Sequence, residues 1–148
     1  MPDIREINEE YAKIGQELID TEEILEYIKD SEARIIFLSS EQKKMQNGKI
    51  VFAQCEKVAE KYKWGLPCDF TITVFEPNCE DITPEQLRIL LFHELLHVKI
   101  DFNSSGEEAY SINPHDLEDF KYIIDRFGTD WISQDDGGFE LWLKEWWR

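Results

Sequence analysis

Apolar residues recur at spacings of three and four through the first part of the chain, at Ile4, Ile7, Tyr11, Ile14 and Leu18, then at Ile24, Leu25 and Ile28. That period predicts an amphipathic helical segment over residues 1–30. Asp20-Thr21 followed by Glu22-Glu23 supplies a cap and an acidic first turn, so the segment reads either as one broken helix or as two. The pattern then changes. "ARIIFLSS" (Ala33 to Ser40) is β-branched and aromatic and predicts a strand. Asn47-Gly48 is a turn dipeptide, which makes Lys49 to Cys55 a second strand, and "EKVAEKYKW" a short helical turn ahead of Gly65 and Pro67. In "DFTITVFEP" (Asp69 to Pro77), Phe70, Ile72 and Val74 alternate with threonines, the signature of a third, half-exposed strand.

Thr83-Pro84-Glu85-Gln86 opens the next helix with an N-cap, a proline at the first helical position and a glutamine in the capping-box position. A further helix is predicted from Pro114, with Leu117, Phe120, Ile124 and Phe127 on one stripe and Gly128 as its stop. The tail, residues 132–148, carries Phe139, Trp142, Leu143, Trp146 and Trp147 at helical spacing, as core or as a docking face. The sum is an α+β fold, a small three-stranded sheet packed on one helix with flanking helices. No repeat or Pro/Gly-rich linker divides it, and 148 residues suit a single domain.

Composition narrows the functional classes. With 42% apolar and 13% aromatic residues the chain has the material for a core, which argues against disorder. The formal charge of −16 repels phosphate backbones, so a nucleic-acid binder is not expected. "MPDIREINEE" shows no secretory leader, no apolar run is long enough for a membrane span, and Cys55, Cys68 and Cys79 form no C-x-x-C pair. These features predict a cytoplasmic protein with reduced thiols and no membrane association.

Chemistry concentrates in "LLFHELLHVKID" (Leu90 to Asp101). His93 and His97 are four apart, one helical turn, so their ring nitrogens can converge on a single metal ion. Glu94 leans over the same face, where it can hold a water and take its proton, the arrangement that makes H-E-x-x-H a signal for zinc hydrolysis. Ile89 to Phe92, Leu95, Leu96 and Val98 are apolar, so the helix should be buried. Burying two histidines and a glutamate is costly without a metal or hydrogen-bond partners.

A catalytic zinc keeps three protein ligands. His115, eighteen residues after His97, shares a helix face with Glu118, Asp119 and Tyr122, and either His115 or Glu118 could be the third. Imidazole is the readier ligand at neutral pH, which favours His115; Glu118, Asp116 or Asp119 would then orient a ring from behind. Asp101 lies one more turn along the line of His93 and His97, too far to share the ion, and reads as a surface acid at the helix end. Tyr110 and Tyr122 are candidates to stabilise an oxyanion but read first as packing residues.

"ARIIFLSS", "KIVFAQCEKVAEKYKW", "DFTITVFEPN", "EQLRILLFHELLHV", "NPHDLEDF" and "DRFGTDW" together resemble the putative phage metallopeptidase family, small zincins similar to SprT-type peptidases. The resemblance covers about Asp30 to Trp131, leaving the N-terminal helix and the Trp-rich tail outside. It implies a zincin core, Zn²⁺ held by His93, His97 and His115, and Glu94 as general base. The expected function is therefore a zinc-dependent peptidase acting on a peptide or protein substrate, with the exposed strand Asp69 to Glu76 holding the substrate as an added strand. The alternative is a non-catalytic protein stabilised by zinc, in its extreme form an acidic DNA mimic, against which the intact Glu94 argues.

Overall fold

The computed structural model describes residues 4–114. Eleven regular elements follow one another: β1 (Arg5–Ile7), α1 (Glu9–Thr21), α2 (Glu26–Lys29), β2 (Ile35–Ser40), β3 (Met45–Gln46), β4 (Lys49–Ile50), β5 (Ala53–Lys57), β6 (Phe70–Phe75), α3 (Pro84–Leu95), β7 (Val98–Phe102) and β8 (Glu108–Ile112). Short 3₁₀ turns at Glu23–Leu25, Glu60–Tyr62 and Glu76–Asn78 join some of them. The fold is α+β, as the sequence predicts. The predicted helix from Pro114 and the Trp-rich tail, with His115, Asp116, Glu118, Asp119 and Tyr122, lie outside the described residues.

The N-terminal segment is not helical from its start. Arg5–Ile7 is a strand, and Asn8 caps α1 by accepting from the Tyr11 amide at 3.0 Å. The helix breaks where Asp20-Thr21 marks it: α1 ends at Thr21, and the chain passes through a 3₁₀ turn into α2. At Gly15, α1 approaches the sheet so closely that a Cβ would sit 2.2 Å from Phe37 Cζ. No other residue type fits that approach without displacing the ring.

The main sheet has four strands rather than three, in the order β1-β2-β6-β5. β1 runs antiparallel to β2, β2 parallel to β6, and β6 antiparallel to β5. The second predicted strand splits in two. Asn47-Gly48 forms the turn of a separate β3–β4 hairpin, with positive φ at both residues, and the strand that joins the sheet starts at Ala53 and runs on to Lys57.

The third predicted strand is not half-exposed. Every residue of β6 is buried, because the strand is interior to the sheet and both of its faces are covered. Phe70, Ile72 and Val74 join the core with Leu18, Leu25, Phe37, Ile89, Leu91, Phe92 and Leu95 from the helices and β2. On the opposite face, Arg5 reaches over Thr73, donating to its hydroxyl at 3.0 Å and to Glu56 Oε1 at 2.7 Å, with its guanidinium above the Phe75 ring. An alternating pattern therefore hides a fully buried strand, because threonines can line a face that an arginine closes.

Candidate metal centre

α3 starts as its sequence dictates. Thr83 Oγ1 accepts from the Gln86 amide at 3.1 Å, while Gln86 Oε1 accepts from the Thr83 amide at 2.8 Å, so two otherwise unsatisfied donors are met at once. From Ile89 to Leu95 every residue is buried, which carries His93 and Glu94 into the core at 9% and 5% exposure.

The helix does not continue through His97 to Asp101. It ends at Leu95, and the chain turns at Leu96 and His97 into β7. The last turn tightens as the His97 amide donates to the Glu94 carbonyl at 3.1 Å. Val98, Ile100 and Phe102 alternating with Lys99 and Asp101 is a strand pattern, and it overrides helical continuation here. Asp101 is exposed on β7, a surface acid but not a helical one. β8 pairs antiparallel with β7, and Asn103 holds the turn between them by accepting from the amides of Ser105 and Glu107.

Despite the break, the three predicted residues converge. One donor atom each from His93, Glu94 and His97 lie within 4.8 Å of one another. The two imidazoles meet edge to face with centroids 5.3 Å apart, and His93 Nε2 lies 3.9 Å from Glu94 Oε2. His97 Nδ1 is 2.8 Å from the carbonyl oxygen of Asn113. A carbonyl can only accept, so Nδ1 carries the proton and the lone pair of the neutral ring is on Nε2.

This donor set fits a metal. Two ligands of one tetrahedral ion at about 2.0–2.2 Å lie roughly 3.3–3.6 Å apart, which atoms within 4.8 Å of one another reach by side-chain adjustment of about 1 Å. The carbonyl behind His97 is the partner that ligating histidines ordinarily have. Among the described residues this is the one group of three or more histidine, cysteine or acidic side chains so placed.

The surroundings are apolar. Cys55 on β5 packs against the same core, and its thiol is pushed well above the usual range, first by burial and then by the charge of Glu94. Tyr27 on α2 donates to the Val98 carbonyl at 2.5 Å. Tyr110 is a packing residue: its ring stands edge-on to Phe70 at 5.6 Å, and its hydroxyl donates to Glu108 at 2.6 Å.

The model of the family described as Putative phage metallopeptidase matches residues 5–138. This chain belongs to that family. The match reaches beyond the stretch of about Asp30 to Trp131 that carries the resemblance, since it takes in β1 and α1. The structure gives the reason: β1 is a strand of the main sheet, and α1 packs on both β2 and α3. For a metallopeptidase of this family, a metal cofactor and a peptide or protein substrate are implied. No curated protein matches the chain, and no solved structure does. Among the described residues no helix is long and apolar enough to cross a membrane.

Asn113 escaped the reading of the sequence, although it makes three polar contacts with the His97 turn. The signal was present in the alternation after His97 and in the Asn103-to-Gly106 turn, which bring residue 113 back beside residue 97.

Proposed function

We propose that this chain is a zinc-dependent peptidase of zincin type, with His93, His97 and His115 as metal ligands and Glu94 as general base. The observation that carries it is the convergence of His93, Glu94 and His97 in a buried site, with the far nitrogen of His97 already hydrogen-bonded to a carbonyl. Imidazole is the readier ligand at neutral pH, which favours His115 over Glu118 as the third.

When bound, Zn²⁺ would polarise the scissile carbonyl and bring the pKa of its water towards about 7. Glu94, fixed on the last turn of α3 beside His93, accepts the proton of the attacking water and delivers it to the leaving amine. The apolar walls from α3 and β5 keep bulk water from competing for that proton.

The strand Asp69 to Glu76 cannot hold a substrate by strand addition, because β6 is hydrogen-bonded on both sides. That role passes to β5. Among the described residues only β6 pairs with it, while α3, near Glu94, and β8 lie against it. An extended peptide added to the outer side of β5 would run beside the catalytic turn.

Metal content by mass spectrometry on protein purified without added metal tests the centre. About one zinc per wild-type chain is expected, with zinc lost in His93→Ala, His97→Ala and His115→Ala but kept in Glu118→Ala. Wild-type protein that stays empty even after zinc is offered would refute the reading.

A further inference from the structure

Asn113 contacts the His97 turn through three separate groups. Its side-chain amide donates to the Leu96 carbonyl at 3.2 Å, its main-chain N–H donates to the His97 carbonyl at 2.6 Å, and its carbonyl faces His97 Nδ1 at 2.8 Å. The first two contacts satisfy carbonyls that the end of α3 leaves without helical partners. The third fixes the ring. Pro114 follows directly and confines the residue before it to extended backbone, which limits the directions in which the Asn113 carbonyl can point.

We propose that Asn113 is a positioning residue for the metal centre. It holds His97 as the Nδ1–H tautomer, which puts the lone pair of the neutral ring on Nε2, and it ties the turn that carries His97 to the end of β8. The inference rests on the zinc reading for its purpose, but the tautomer it predicts belongs to the metal-free protein as well.

The alternative is that Asn113 merely closes the β7–β8 hairpin. The two roles separate by experiment. Long-range ¹H–¹⁵N NMR of the histidine rings in the metal-free protein reads the tautomer directly, and a chelator competition reads zinc affinity. For wild type the Nδ1–H form of His97 should dominate. Asn113→Ala and the near-isosteric Asn113→Asp both lose the side-chain donor to Leu96 that holds the Asn113 main-chain carbonyl against Nδ1, and both should show a mixed tautomer and zinc affinity weakened by about 10- to 100-fold.

Gly106→Ala serves as the control. Its φ of +79° strains any L side chain, so it loosens the same hairpin without touching His97. It should lower Tm while leaving both tautomer and affinity as in wild type. Asn113 variants that keep the Nδ1–H form and wild-type affinity, or a control that loses both, would overturn the proposal. Should wild type bind no zinc at all, the zinc reading fails, and the tautomers of the metal-free variants still decide whether Asn113 orients the ring.

Discussion

His93 Nε2 and Glu94 Oε2 lie 3.9 Å apart on the last turn of α3, neighbours in sequence whose polar ends share one buried site. That spacing puts the carboxylate beside an imidazole proposed as a metal ligand, where a metal-activated water would also lie. Glu94→Gln keeps shape and volume but cannot accept a proton. It should retain one zinc per chain and lose peptide hydrolysis by roughly 10²- to 10⁴-fold, the usual contribution of a positioned base. Hydrolysis that survives in a zinc-loaded Glu94→Gln protein would remove the glutamate from the mechanism.

Gly15 and Phe37 make the tightest packing constraint on the fold that supports the site. In an exposed helix, glycine to alanine stabilises by up to about 1 kcal/mol. Here the new methyl would meet the Phe37 ring at 2.2 Å, and overpacking of that kind costs roughly 1–3 kcal/mol. The clash should win, so Gly15→Ala lowers stability in denaturant titrations. Adding Phe37→Leu to it should recover part of the loss, a coupling that two independent sites would not show.

The helix that carries His93 and Glu94 was legible because its start is written in local chemistry: Thr83, Pro84 and Gln86 act within one turn. Its end was not, since nothing after Leu96 breaks a helix outright, and the partner that favours a strand, β8, lies ten residues away. Burial of β6 was hidden for a related reason. Thr73 reads as solvent-facing until the fold lays Arg5 across it from a strand at the far edge of the sheet. Features set by neighbours in sequence were read correctly, whereas those set by long-range pairing were not.

All three cysteines are thiols whose ionisation is suppressed by burial, Cys79 reaching about 12 from an ordinary 9.0. Tyr27 is likewise raised from 10.0 to about 12, chiefly by burial. The folded state thus holds these protons more tightly than the unfolded state does. Below pH 9 both states are protonated and the preference is fully present; from about pH 9 to 12 the unfolded chain loses protons first and stability declines. Chemical denaturation at a series of pH values should show the midpoint falling over that interval. Native thiols should also react far more slowly with a disulfide reagent at neutral pH than the same thiols in denaturant.

Strand addition at β5 makes a prediction that concerns the peptide backbone rather than side chains. Each main-chain hydrogen bond is worth about 0.5–1.5 kcal/mol net, so a peptide N-methylated at two alternate residues on its β5-facing edge should bind at least about fivefold more weakly than its unmethylated parent. Methylation on the opposite edge, which points to solvent, should change affinity little. The comparison is best made on the Glu94→Gln protein, where binding can be followed by calorimetry without turnover. Equal losses from methylation on either edge would argue that the substrate is held through its side chains, and β5 would then have no part in binding it.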